Sequence, residues 1–166
     1  MTARNVVLIG SMGSGKSTVG AALAARLSYE LVDTDALVER EAGRSIEEIW
    51  ANGGEPAFRA LEHQAVLRAC AGSGRVISCG GGAILQLTNF GILKDAGAVV
   101  YLRAPAEVLW ERVRAAGGRP LATDEHSFRK LLADRTPVYE SAADHVVDVD
   151  GDEPDAVARH IAELVA

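Results

Sequence analysis

The residues Gly10-Ser11-Met12-Gly13-Ser14-Gly15-Lys16-Ser17-Thr18 fill every position of the phosphate-binding pattern G-x-x-x-x-G-K-[ST]. The flanks supply the context that gives the pattern meaning. Upstream, Asn5-Val6-Val7-Leu8-Ile9 is a short apolar run rich in β-branched residues, the profile of a strand buried on both faces. Downstream, Val19, Leu23 and Leu27 recur at helical spacing among alanines. Strand, glycine loop and helix therefore follow in the required order. Glycines let the backbone turn sharply, so that successive N–H groups and the helix N-terminus point at phosphate oxygens. Gly13, Ser14, Gly15 and Thr18 would cradle the phosphates of a nucleoside triphosphate, Lys16 would reach the β- and γ-phosphates, and the Ser17 hydroxyl would ligate Mg²⁺.

At 166 residues with 48% hydrophobic content, the chain suits one domain spanning 1–166. A net charge of −6 gives no general attraction to phosphate backbones or anionic membranes, so a small-molecule partner is expected, with neither nucleic acid nor membrane. Cys70 and Cys79 have no metal-ligand spacing and are expected to be reduced and buried. No apolar stretch approaches the ~20 residues of a membrane helix, and the N-terminus runs into the first strand without a leader-like segment. A cytoplasmic location and a monomer are the expectations.

Strand-like and helix-like segments alternate along the chain, which predicts an α/β architecture: a five-stranded parallel sheet flanked by helices. Strands are predicted at 5–9, 30–33, 75–79, 98–102 and 145–149. Helices are predicted after the phosphate loop and near 35–42, 45–52, 56–71, 87–95, 105–114, 127–142 and 154–165. Ser45 with Glu48 suggests a capping box, and Gly53-Gly54 a break. Gly117-Gly118-Arg119-Pro120 opens a polar stretch read as a mobile lid over approximately 116–127. In open α/β sheets the ligand crevice lies beyond the carboxyl ends of the strands. The phosphate loop, Asp33-Thr34-Asp35 and Gly80-Gly81-Gly82 all leave the first three strands there and should meet in one site.

A kinase for a small acceptor needs a metal site, a group facing the attacking hydroxyl, and positive charge around the phosphoryl group. Of Asp33 and Asp35, one can reach the metal shell while the other faces the hydroxyl; capping the next helix accounts for at most one of them. Arg59 precedes Glu62 by three residues on one helical face, spacing that permits an ion pair. On its own such a pair is more often a solvated surface feature. Arg135, before Thr136-Pro137-Val138-Tyr139, is ambiguous alone, yet two fixed guanidiniums would suit an acceptor bearing a carboxylate. Arg119 can close on the triphosphate or be a solvated loop residue. His63, His126, His145 and His160 show no spacing for a metal or a triad.

The chain resembles the shikimate kinases, small P-loop kinases of the nucleoside-monophosphate-kinase-like group. The resemblance covers nearly the whole sequence: Gly10 to Ser17, Asp33-Thr34-Asp35, Gly54-Glu55 followed by Phe58-Arg59 and Glu62, Gly80-Gly81-Gly82, Arg119-Pro120-Leu121, and Arg135 with Pro137 and Tyr139. It implies phosphorylation of the 3-hydroxyl of shikimate by ATP. It implies further that Asp35, Arg59, Gly81 and Arg135 hold shikimate in a region including 34–62, that Asp33 and Ser17 serve Mg²⁺, and that Arg119 belongs to a lid over ATP. In this role Asp35, Lys16 and Arg119 would be the catalytic groups. Chemistry agrees: the acid's carboxylate matches two arginines, its hydroxyls suit Asp35, and Gly80, Gly81 and Gly82 allow close backbone approach. Phe58 and Trp50 can form a flat apolar wall or simply pack in the core. For adenine the resemblance points to Arg112, with Arg114 as the alternative. Gly151-Asp152-Glu153-Pro154 is acidic where some relatives carry arginine, which leaves backbone and Pro154 to meet the base. A gluconate kinase also faces a carboxylate and hydroxyls, but the aspartate pair, Phe58-Arg59 and the triple glycine favour shikimate. A non-catalytic nucleotide-binding relative is disfavoured because every candidate catalytic group is present.

Overall fold

The computed structural model describes residues 4–117 and 123–166. Five strands, β1 (Asn5–Ile9), β2 (Glu30–Asp33), β3 (Arg75–Ser78), β4 (Gly97–Arg103) and β5 (His145–Asp148), form one sheet in the order β2-β3-β1-β4-β5. Every pairing is parallel, with Val6 opposite Val76 on one side of β1 and Ala98 on the other. The predicted sheet is therefore present. Alternation of strands and helices does not by itself specify the strand order.

All five residues of β1 are buried, as expected for a central strand covered on both faces. Alternation divides them. Val6 and Leu8 pack in a cluster with Val19 and Leu23 of α1 (Lys16–Leu27) and with Val157 and Ile161 of the last helix, α7 (Pro154–Leu164). Val7 and Ile9 join the opposite cluster, with Val66, Leu93 and Tyr139. Those residues come from α3 (Ile46–Cys70), α4 (Leu87–Ala96) and α6 (Glu125–Ala142). At the N-terminal edge of the sheet, buried Asn5 is fully engaged: its side chain donates to Gly72 O at 2.8 Å and accepts from Arg75 N at 3.0 Å.

Two helices shape the acceptor side. α2 (Thr34–Ala42) begins directly at the end of β2, and α3 starts with the predicted capping box: Ser45 Oγ accepts from Glu48 N at 3.1 Å while Glu48 Oε2 accepts from Ser45 N at 3.3 Å. The two helices predicted at 45–52 and 56–71 are joined through a kink, where Gly54 takes φ 67°, ψ −166°. That backbone region is open essentially to glycine alone. Pro56 follows at the start of the second segment, where a missing N–H costs least. The kink redirects the chain so that Phe58, Arg59 and Glu62 face inward.

A 3₁₀ turn at Ala83–Leu85 and the short α4 connect the triple glycine to β4. The 3₁₀ turn has too few residues to show a period in the sequence. α5 (Ala106–Ala115) opens after Pro105 as predicted. Arg119, with Pro120 and Leu121, lies outside the described residues. Cys79 is buried, whereas Cys70 is only half-buried at the end of α3, which corrects the expectation that both are enclosed. Among the described residues both cysteines are free, and no helix is long and apolar enough to cross a membrane.

Candidate active site

Beyond the carboxyl ends of β1, β2 and β3 lies a cavity of about 300 Å³. Its wall joins the phosphate loop (Met12, Gly13 and Gly15 to Thr18), Asp33, Asp35, Gly80 to Gly82, Arg59, Glu62 and Arg135. The three sequence stretches expected to meet do so.

At the donor end, Lys16 opens α1 and curls over the loop, with Nζ donating to Gly10 O at 2.8 Å and Ser11 O at 2.9 Å. The loop thus holds its ammonium beside the N-terminus of α1, where phosphate oxygens bind. Ser17 Oγ donates to Asp33 Oδ2 at 2.8 Å. The other carboxylate oxygen, Oδ1, accepts from Asp35 N at 2.9 Å and Ala36 N at 3.1 Å. Asp33 therefore both caps α2 and faces the phosphate loop, so capping and a place at that loop are not alternatives for this residue. A hydroxyl and a carboxylate in contact at the loop mouth form an oxygen donor set that suits Mg²⁺, an ion that takes few protein ligands and keeps phosphate oxygens and waters. Among the described residues no group of three or more His, Cys, Asp or Glu could hold a metal by itself.

A second cavity of about 220 Å³ lies on the other side of the loop, lined by Gly13, Gly15, Thr18, Arg112, Asp152 and Pro154 among others. Arg112 reaches it by donating from Nη1 to Gly13 O at 3.1 Å. Arg114 instead pairs with Glu111 at 2.6 Å on an exposed part of α5. Pro154 is the first residue of α7.

At the acceptor end, Asp35 lies against the triple glycine: a Cβ added to Gly80 would stand 2.6 Å from Asp35 Oδ1 and 3.1 Å from Glu62 Oε2. A Cβ on Gly82 would stand 2.5 Å from Arg59 Nη2, and one on Gly81 would stand 3.2 Å from Arg135 Nη1. The glycines thus let Asp35, Arg59 and Arg135 each approach a different residue of the turn, where a Cβ would crowd the end of that side chain.

The Arg59–Glu62 pair is not a surface feature. Arg59 Nη1 donates to Glu62 Oε1 at 2.7 Å, and Glu62 is 1% exposed. Arg59 Nε also reaches Glu55 Oε1 at 3.3 Å, and its guanidinium lies 5.2 Å from the Phe58 ring centroid. Trp50 stands 5.7 Å from Phe58, ring to ring, and both line the cavity. Phe58 is 6% exposed and also packs with Val38 and Ile49, so wall and core are one surface. Burial raises the carboxyl of Glu62 above its ordinary value; Arg59 pulls it back by charge and hydrogen bond, Asp35 pushes it up again, and Arg135 lowers it. Glu62 Oε2 is buried with no hydrogen-bond partner among the described residues. Arg135 is 7% exposed, lines the cavity, and has no carboxylate in ion-pair contact among the described residues. A buried guanidinium without a carboxylate partner marks a place for an anion.

Cys79 sits on the cavity floor, and burial pushes its thiol up, away from the thiolate form. The outer thiol of Cys70 is raised to about 11 by burial. Neither is an activated nucleophile. His63, whose spacing suggests no chemistry, steadies the turn beyond the glycines. Its Nδ1 stands 2.7 Å from Asn89 Oδ1, and Asn89 Nδ2 donates to Ala83 O at 3.1 Å. Thr34 and Tyr139 also bind the glycine turn, roles that spacing alone does not announce. Their signal was present but weak: Thr34 lies between the two aspartates, and Tyr139 lies one helical turn beyond Arg135.

Residues 12–166 match the family model described as shikimate kinase. A shikimate kinase of Symbiobacterium thermophilum is 46% identical over 144 residues, 84% of this chain and 83% of that one. One from Moorella thermoacetica is 42% identical over 163 residues, covering 97% of this chain and 94% of its own length. The fold superposes on a solved shikimate kinase from Acinetobacter baumannii in complex with shikimate with a TM-score of 0.95, at 35% identity, covering 99% of this chain and 93% of that chain.

Proposed function

The chain belongs to the shikimate kinase family, and from that premise we propose how its own residues divide the work of the reaction. The activity is ATP-dependent phosphorylation of shikimate at its 3-hydroxyl, giving shikimate 3-phosphate and ADP on the route to chorismate and the aromatic amino acids.

The observation that carries the assignment is the pair of guanidiniums, Arg59 and Arg135, on one cavity with the phosphate loop. One is fixed by a buried carboxylate and the other has none, so together they suit a single acceptor carboxylate gripped from two directions. With the acid held there, its hydroxyls turn towards Asp35, and the backbone of Gly80, Gly81 and Gly82 lies alongside the ring. Phe58 and Trp50 cover its apolar side. Asp35 accepts a hydrogen bond from the 3-hydroxyl and takes its proton as the oxygen bonds to the γ-phosphorus and the bond to the β–γ bridging oxygen breaks, releasing ADP. Because the transition state of such transfers is loose, most of the acceleration comes from alignment and charge rather than from proton removal.

Lys16 moves its ammonium from the loop carbonyls to the β- and γ-phosphates, an exchange of neutral acceptors for charged ones. Gly13, Ser14, Gly15 and Thr18 hold the phosphates, with Arg112 and Pro154 beside the adenine. Arg119, in a lid between α5 and α6, adds positive charge over the triphosphate. Ser17 and Asp33 would hold Mg²⁺, which neutralises phosphate charge when bound. We read residues 1–166 as one domain, acting as a cytoplasmic monomer. The net charge of −6 supports small-molecule partners over nucleic acid.

A coupled ADP-release assay on the purified protein tests the reading. Turnover with shikimate and none with gluconate is expected; turnover with gluconate and none with shikimate would overturn it.

A further inference from the structure

A backbone turn made of three glycines has no side chains to hold it, and a Gly–Gly peptide can rotate at little steric cost. The hydrogen bonds of this turn account for most of its polar groups. Gly80 N donates to Thr34 Oγ1 at 2.9 Å, Gly80 O accepts from Ala83 N at 3.1 Å, and Gly82 O accepts from Leu85 N at 3.2 Å. Gly81 O accepts from the Tyr139 hydroxyl at 2.6 Å. Among the described residues, no hydrogen bond uses the N–H of Gly81 or Gly82, although both residues line the cavity.

Planarity of the peptide links these facts. The Gly81 carbonyl and the Gly82 N–H belong to one rigid unit and point in opposite directions across it. Whatever holds the carbonyl therefore sets the direction of the N–H. Tyr139 is well built to do so: it is 0% exposed, its ring packs 5.1 Å from that of Tyr101, and it lies on α6 one turn beyond Arg135. On the other side of the turn, Arg59 lies so close to Gly82 that a Cβ there would stand 2.5 Å from its guanidinium. A rotated peptide would therefore put a carbonyl in place of the Gly82 N–H, on a residue that lies against Arg59.

We propose that the Tyr139 hydroxyl is a positioning group for the acceptor, locking the Gly81–Gly82 peptide so that the Gly82 N–H stands beside Arg59 as a donor to the bound acid. The inference deepens the reading of the acceptor site above and rests on it. Arg135 and Tyr139 then act on the same turn from one helix, the first by charge at the cavity and the second through the backbone. Burial raises the phenol to about 12, so it remains a donor at neutral pH.

Tyr139→Phe removes the hydroxyl and keeps the ring. The expected result is a KM for shikimate raised about tenfold, the change a lost bond of ~1.4 kcal/mol produces, with the KM for ATP within about twofold of the parent. The gain in melting temperature given by shikimate should shrink while that given by ATP is kept. An unchanged KM for shikimate, or a rise of both KM values in step, would overturn the proposal. Arg59→Ala, measured alongside, separates the two levels: if it too leaves the KM for shikimate unchanged, the acceptor site itself is misread, whereas a rise there without one in Tyr139→Phe removes only the role of Tyr139. A measurement on the parent protein is independent of how the variants fold. A single, unbroadened amide resonance for Gly82 is expected in the acceptor-free enzyme, and exchange between two conformers would overturn the lock.

Discussion

Glu62 is the residue on which the acceptor half depends, since a 1%-exposed carboxylate holds the guanidinium of Arg59 at 2.7 Å. Truncating one member of such a pair leaves the other charge buried, which costs on the order of 3–5 kcal/mol. The pair also carries a pH signature. Burial raises the folded-state value of Glu62 above 4.5, so the folded chain holds that proton more tightly than the unfolded chain does. The resulting stability is fully present below 4.5 and is lost as pH rises through the raised value. Urea unfolding at successive pH steps upward from about 4 should show this fall in the parent, and Glu62→Gln should flatten it over that window. Parallel curves for the two proteins would show that Glu62 does not titrate differently on folding. Asp33 serves two elements at once: one oxygen caps α2 and the other receives Ser17, so a helix cap here also stands at the phosphate loop.

At the scale of elements, the direction of α3 decides where Arg59 and Glu62 go, and Gly54 decides the direction of α3. Its φ of 67° with ψ of −166° carries a strain of about 1–3 kcal/mol for a residue with a Cβ. Gly54→Ala should lower the melting temperature by roughly 2–4 °C for each kcal/mol lost, and should raise the KM for shikimate more than that for ATP. A variant as stable as the parent with both KM values unchanged would mean that the kink is incidental. Much of this layer was readable in the sequence. β1, the phosphate loop and α1 follow from a buried apolar run, glycines and helical spacing, and the capping box at Ser45 and Glu48 is where its two residues predict it. The 3₁₀ turn at Ala83–Leu85 was not readable, because three residues show no period. Nor was the burial of Glu62: a three-residue spacing fixes a shared helix face, but whether that face meets solvent or protein depends on α2 and the triple glycine, far away in sequence. The half-exposure of Cys70 against the burial of Cys79 has the same origin, since one ends a helix and the other follows a central strand.

Across the whole molecule, the order β2-β3-β1-β4-β5 places the exits of β1, β2 and β3 side by side, which is how three separated stretches come to share one cavity. The phosphate loop and the aspartates declare themselves by residue type; the arginines do so only when the fold brings α3 and α6 to the same turn. Arg59 and Arg135 were each ambiguous alone for this reason, and Thr34 and Tyr139 acquire a role only through the backbone they touch. The central claim is that these elements form one acceptor site facing the donor loop. A crystal structure with shikimate and ADP bound tests it most directly. The predicted result has the acid's carboxylate between Arg59 and Arg135, its 3-hydroxyl on Asp35 and directed at the phosphate loop. A carboxylate bound away from both arginines, or a ring turned so that the 3-hydroxyl faces away from Asp35, would contradict it.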